Sequence, residues 1–233
     1  GGGLMPRYRY TESELKRLEK NIVIIADTRE QANKHIIDFF NTKKIKYVED
    51  IKLDYGDYSC FIEYNEETKG LISQNIYFDR DIVIERKACI DEIAANMQEQ
   101  KTIVKDKEVI EYFNKTFGKD YLKKVLKCDY CRFKAELTSI NKHGICFRIF
   151  IEDKNFHYNL RNHNYVSKYK ETALNARIKS FEADFNTTLV PIDKTYMGSE
   201  IYNTLKAHVR DTLKKKGFLE DDVKVGVENG LCD

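Results

Sequence analysis

The stretch DIVIERKACID, residues 81–91, limits what this chain can become more than any other. An apolar, β-branched run through Ile84 stops at once in Glu85, Arg86 and Lys87, and Asp91 follows four positions on. A short apolar run of this kind reads as a buried strand. Side chains alternate across a strand with a period of two, so Glu85 and Lys87 share a face. A carboxylate and an ammonium can then point into one cleft. Hydrolysis of a phosphodiester uses that pairing. The carboxylate holds a divalent cation that polarises the phosphate and acidifies a bound water. The lysine orients the water or offsets the charge that develops in the transition state.

The rest of the chain supplies the elements around that strand. Residues 11–20 read as a short helix, with Thr11 as cap and Glu14 completing a capping box. Ile22 to Ala26 is a second buried strand. In QANKHIIDFFNTKK, Ile36, Ile37, Phe39 and Phe40 fall at helical spacing. KYVEDIKLDYGDYSCFIEY gives shorter strands around a turn at Gly56, NEETKG a hairpin loop, and QNIYFDRDIVIERK one strand or a pair. Helical periods follow in DEIAANMQEQ, KEVIEYFNKTFGKDYLKKVLK and CDYCRFKAEL. HGICFRIFIED reads as a strand, KETALNARIKSFEADF as a helix and TTLVPID as a strand. SEIYNTLKAHVRDTLKKKG closes the pattern as a helix, with Gly217 near its C-cap. Strands first, then alternating helix and strand, argue for one α/β domain around a central mixed sheet.

Composition narrows the class. At 233 residues, with 42 % apolar and 33 % charged residues, the chain can bury a core and keep a solvated surface. Gly1-Gly2-Gly3 and Leu4-Met5 resemble an expression scar. No apolar run approaches the roughly 20 residues of a membrane span, and no signal peptide opens the chain. The six scattered cysteines then read as reduced thiols in a cytosol. The net charge of +2 hides an asymmetry: residues 21–100 carry 10 Lys/Arg against 16 Asp/Glu, and residues 101–150 carry 12 against 6. That suits an acidic metal site beside a phosphate-binding surface, and equally suits ordinary variation between solvated faces.

One carboxylate rarely holds Mg²⁺ alone. Asp57 follows Gly56 in a tight turn, and Asp27 ends the first strand with Glu30 three residues later. Each acid taken singly is most simply a cap or a turn residue. Together, acids at three strand ends can converge on one metal.

At these residues the chain resembles a known family. Gly56-Asp57, Glu85-Arg86-Lys87 and, after three intervening residues, Asp91 match GD-X(n)-ERK-X(3)-D, the signature of the XPF/Mus-type structure-specific nucleases. Asp27-Thr28-Arg29-Glu30 is similar to that family's upstream D-x-R-E element. RFKAEL, FRIFIED and ALNARIKSFEADFNTTLVPID are similar to its later helices and strands, so the resemblance covers roughly residues 21–216. It implies an α/β fold: a single domain with a central mixed β-sheet flanked by helices, and a restriction-endonuclease-like (PD-(D/E)xK) nuclease core. The implied organisation is a scar and N-terminal helix at 1–20, a nuclease domain at 21–217 with a basic helical insertion at 101–127, and a polar tail at 218–233. The implied metal ligands are Asp57 and Glu85, with Asp27 at the metal or the water, and the ion is Mg²⁺ or Mn²⁺. Lys87 would assist the attacking water, and Arg29, Glu30, Arg86 and Asp91 would complete and orient the site. Arg86 is also read as offering its backbone carbonyl while its side chain stays structural. Asp91 reads equally as an acid at a helix start, favoured by the dipole.

The implied activity is metal-dependent endonucleolytic cleavage of branched or otherwise structured DNA, in a phage or bacterial cytoplasm or in a nucleus. Two alternatives stay open: an inactive DNA-binding or scaffold subunit of a nuclease complex, and a sequence-specific DNA endonuclease. Many family members carry tandem helix-hairpin-helix modules after the nuclease domain, and here a short tail follows residue 217. DNA grip would then come from the domain itself, from a homodimer or from a partner protein. The insertion offers Lys101, Lys105, Lys107, Lys115, Lys119, Lys123, Lys124 and Lys127, with Tyr112 and Phe113 among them. Lys123, Lys124, Lys127 and Arg132 are the named candidates for DNA contact, against a solvated helix as the simpler reading. Cys128, Cys131, His143 and Cys146 have zinc-ligand types but lie in helix and strand patterns, where buried cysteines are the simpler reading. His157, Arg161, His163, Tyr165 and Lys168 lie in an aromatic, basic loop that either touches DNA or is plain surface.

Overall fold

The elements run in the order α1 (Glu12–Glu19), β1 (Ile22–Ala26), α2 (Lys34–Lys43), β2 (Lys46–Val48), β3 (Tyr58–Ile62), β4 (Ile76–Tyr77), β5 (Ile82–Lys87), α3 (Ile90–Met97), α4 (Asp129–Lys142), β6 (Cys146–Ile151), α5 (Phe156–Arg161), α6 (Glu171–Asp184), β7 (Thr188–Pro191) and α7 (Met197–Lys215). They come from a computed structural model that describes residues 10–98, 111–112, 115–116 and 129–215. The architecture is α/β, with a mixed sheet and flanking helices. Contacts gather the chain into two units, Gly1–Ile84 with Thr195–Asp233, and Glu85–Lys194. Strand β5 passes from one unit into the other between Ile84 and Glu85.

In the first unit the strands lie in the order β2-β1-β3-β5. β1 pairs parallel with β2 and antiparallel with β3, with Ile22 opposite Ile62 and Ala26 opposite Tyr58. The other edge of β3 serves two partners: Phe61 and Ile62 face β4, and Tyr58 faces Ile84. All five residues of β1 are buried, which is why its sequence is an unbroken apolar run rather than an alternating one. Val23, Ile25, Leu53 and Phe61 form one core cluster, with Val48 and Ile51 against it.

The helices of this unit follow from local sequence. Thr11 and Glu14 form the expected capping box, each side chain accepting the other's backbone N–H. Ile201, Leu205 and Val209, four residues apart on α7, are fully buried. Arg210 of α7 pairs with Glu12 and Glu19 of α1, so α1 packs as part of this unit. Gly198 lets α7 approach α2, since a Cβ there would lie 2.7 Å from Cδ1 of Phe39.

In the second unit the order is β5-β6-β7. β6 and β7 pair in parallel, from Arg148 opposite Thr188 to Ile151 opposite Pro191. Phe133 of α4 stacks on Phe181 of α6 with ring centroids 6.1 Å apart, and Tyr130 meets the same ring edge-on at 5.9 Å. Ile93, Ala94 and Met97 of α3 and Leu174 and Ile178 of α6 are buried.

The sequence pattern is corrected in three places. Residues 156–161, read as loop, form α5, which buries Phe156 and Leu160 one helical turn apart. α4 continues past Leu137 to Lys142, and α7 starts at Met197 rather than Ser199. The scar, Lys101, Lys105, Lys107, Phe113, Lys119, Lys123, Lys124, Lys127, Cys128, Gly217 and the tail lie outside the described residues. Among the described residues, no helix is long and apolar enough to cross a membrane.

Candidate active site

The expected site residues fall into two groups, one in each unit. The first begins at Gly56, whose φ of +64° belongs to the left-handed region. A Cβ at Gly56 would lie 3.0 Å from the carbonyl oxygen of Ile84 and 3.2 Å from Cβ of Val83. Only glycine satisfies both the turn and this approach to β5. The turn then sets Asp57: its N–H donates to the Ile84 carbonyl at 2.9 Å, and its own carbonyl accepts from the N–H of Asp27 at 2.8 Å. The Gly-Asp pair is thus a backbone clamp between the end of β1 and the middle of β5.

Asp27 is 2 % exposed. Its Oδ1 accepts from the Arg29 N–H at 2.9 Å and from Arg29 Nε at 2.6 Å. Its Oδ2 accepts from Arg29 Nη2 at 3.2 Å and from the Leu53 N–H at 2.6 Å. Four donors occupy the roughly four lone-pair sites of one carboxylate. Burial pushes the Asp27 carboxyl up, but the hydrogen bonds from the Arg29 side chain and backbone and from Leu53 outweigh it and hold the group below the usual carboxylate range. Arg29 Nη2 also donates to the Leu53 carbonyl at 3.1 Å. Glu30 closes the turn through its N–H to the Asp27 carbonyl, and its Oε1 accepts from the Ala32 N–H. Asp27, expected at the metal or the water, has its lone pairs engaged by Arg29 and by the loop at Leu53, and it shapes the turn.

The second group lies where β5 ends. Lys87 Nζ donates to Glu85 Oε1 at 2.5 Å, with both side chains largely enclosed at 12 % and 14 % exposure. The two share a face, as strand alternation requires. The Lys87 ammonium also sits 5.4 Å from the centre of the Phe133 ring, in reach of its π-face. Arg86 faces the other side. Its Nε donates to Glu152 Oε1 at 2.8 Å and its Nη2 to Glu152 Oε2 at 3.0 Å, a fork-to-fork pair with side chains 5 % and 2 % exposed. The Glu152 N–H meets the Lys87 carbonyl at 2.9 Å, so one residue fixes both the side chain of Arg86 and the backbone of Lys87. Glu152 went unnoticed in the sequence, although an acid closing the FRIFIED strand was a visible signal.

Asp91, in the first turn of α3, reaches a distant segment. Its carboxylate accepts from the N–H of Ser167 at 2.6 Å and of Val166 at 3.2 Å. Asn96 of α3, also unnoticed in the sequence, lines a narrow crevice with Lys87, Phe133 and Ile149, and its buried Oδ1 has no hydrogen-bond donor among the described residues. Arg132 points outward to Asp129 at 2.9 Å.

Among the described residues, no three His, Cys, Asp or Glu side chains group to hold a metal ion. That applies to the expected trio of Asp27, Asp57 and Glu85, and to Cys131, His143 and Cys146. Cys131 is exposed, Cys146 is half-buried on β6, and His143 Nδ1 lies 2.7 Å from the Ser139 carbonyl. Mg²⁺, however, keeps several waters and is often held by one or two carboxylates. A hard-oxygen donor such as Glu85, with an ammonium beside it, fits that ion.

The fold and the residues at the end of β5 define an α/β protein carrying a Glu-x-Lys pair at a strand end. No family model and no curated protein matches the sequence. Among solved structures, XPF from Aeropyrum pernix is similar at 14 % identity with a TM-score of 0.43, over 81 % of this chain and 65 % of that chain. XPF from Aeropyrum pernix in complex with DNA is similar at 13 % identity and 0.41, over 81 % and 66 %. The chain thus spans about two thirds of the length of each, and a likeness at this level assigns neither family nor activity.

Proposed function

We propose that this chain is a divalent-metal-dependent DNA endonuclease acting on branched or structured DNA. The observation that carries the reading is the enclosed Glu85–Lys87 pair at the end of a buried strand. Asp57 and Glu85 would hold Mg²⁺ or Mn²⁺; the Asp57 N–H is hydrogen-bonded to the carbonyl of Ile84, the residue before Glu85. When bound, such an ion supplies Lewis acidity at the phosphoryl oxygen and acidity at water. Lys87 would orient the attacking water and place positive charge where negative charge develops. Arg86 and Glu152 hold β5 from its other face. Asp27 and Arg29 fix the turn against which Asp57 is clamped. Water attacks the phosphorus in line, and no covalent protein intermediate is required.

The second reading is a DNA-binding or scaffold subunit that does not cut, and the saturated Asp27 carboxylate favours it by removing one acid from the ligand set. Incubation with flaps, forks, junctions and plain duplex, in Mg²⁺ and in chelator, separates the readings. Metal-dependent cutting of a branched substrate supports the endonuclease. Binding without cutting supports the scaffold, and cutting at one duplex sequence supports a site-specific enzyme. A homodimer or partner protein supplying further grip would appear as protein-concentration-dependent binding in the same assay.

A further inference from the structure

From Lys154 to Lys170 the chain contains no Asp or Glu, although acids make up 38 of its 233 residues. The segment mixes basic, aromatic and amide side chains. Arg161, His163, Asn164 and Lys168 are exposed, and two large apolar surfaces stand out: Tyr158 at 65 % and Val166 at 90 % exposure.

The segment is also firmly wired. His163, at φ +52°, stacks on Tyr165 with centroids 4.2 Å apart. Its Nδ1 lies 3.1 Å from Glu171 Oε2 and its Nε2 3.0 Å from the Ser167 carbonyl. The Tyr165 hydroxyl donates to the Tyr169 carbonyl at 2.7 Å, and Asp91 accepts from the N–H groups of Val166 and Ser167. The acids that hold the segment are engaged with it: Asp91 and Glu171 with its amides and imidazole, Asp153 with the Asn155 N–H and Asn159 Nδ2, and Asp193 with Lys154 Nζ at 2.9 Å. What remains outward is cationic, aromatic and apolar, on a backbone already ordered.

We propose that residues 154–170 are the surface that grips a single-stranded DNA arm, with Asp91 as its positioning residue. Arg161 and Lys168 contact phosphates, and Tyr158 offers a face on which a base stacks. A stacking platform flanked by cations suits unpaired nucleotides, whose π-faces are open, better than a closed duplex. The choice of DNA as the polymer rests on the nuclease reading. The grip itself does not depend on cutting.

The test is fluorescence anisotropy of the full chain with a labelled oligo-dT in EDTA, where no metal-dependent cleavage intervenes. Tyr158→Ala weakens binding on the order of tenfold, and Arg161→Ala/Lys168→Ala lowers the salt slope by about 1.4, two phosphates at roughly 0.7 each. Asp91→Asn lowers amide-exchange protection at Val166 and Ser167 together with affinity. Wild-type affinity and salt slope in both the tyrosine and the cation variants overturn the surface, and a wild-type chain that binds oligo-U as tightly as oligo-dT overturns DNA as its polymer. A wild-type chain that grips oligo-dT but cuts no DNA refutes the nuclease reading and leaves the surface standing.

Discussion

Removing one partner of the Arg86–Glu152 pair is the perturbation whose size the structure fixes best. Both side chains are almost wholly enclosed, and two parallel N–H···O bonds join them at 2.8 and 3.0 Å. Their Coulomb attraction is offset by the desolvation of two ions, so the intact pair adds little net stability. Arg86→Met breaks that balance, because it takes the bidentate donor from a 2 % exposed carboxylate and leaves it the more distant Lys194 Nζ at 3.6 Å. The expected loss is about 3–5 kcal/mol. For a chain of this length that lowers Tm by roughly 6–20 °C, at about 2–4 °C per kcal/mol. Arg86→Met/Glu152→Leu removes both charges and fills the space with apolar groups. It is expected to lie within about 1 kcal/mol of wild type or above it. Urea melts at pH 7 of the wild type, the two single variants and the double variant close a thermodynamic cycle. A single variant within about 1 kcal/mol of wild type refutes the reasoning, because the pair would then be solvated rather than buried.

Gly56→Ala forces a Cβ into a left-handed turn and to 3.0 Å from the Ile84 carbonyl. About 1–2 kcal/mol of backbone strain plus the close contact should appear as a lower urea midpoint. Asp27 gives a pH signature. Its folded carboxyl titrates below its ordinary value, so its stabilisation is present above that value and is lost as pH falls through the folded one. The stability gap between wild type and Asp27→Asn is therefore widest near pH 5 and above and narrows under acid, which urea midpoints across pH 2–7 would show. A gap that widens under acid contradicts the sign. Lys87→Ala should cut DNA about 10²–10³-fold more slowly with binding retained, measured by single-turnover cleavage of a labelled flap.

Local sequence carried much of the fold. The Thr11–Glu14 capping box, the apolar β1 run and the shared face of Glu85 and Lys87 follow from spacing alone. Arg86 fits the same logic, since the residue between two that share a face points to the opposite side. What spacing could not supply were partners distant along the chain. The Leu53 N–H that helps saturate Asp27 is 26 residues away, and the amides held by Asp91 are 75 and 76 residues away. The hydrogen bonds that engage the Asp27 carboxylate were therefore not legible from spacing. α5 escaped notice because Phe156 and Leu160 alone mark its buried face, among His, Tyr, Asn and Arg. The two units carried no linker signal, because the boundary falls inside a strand.

The most direct measurement of the central claim is Mn²⁺ binding, followed by water-proton relaxation, in the wild type, Asp57→Asn and Glu85→Gln. The account expects a bound Mn²⁺ in the wild type that is lost or greatly weakened in both variants, with metal-dependent DNA cleavage lost in parallel. Equal Mn²⁺ binding in all three chains, or a wild type that binds none, contradicts it.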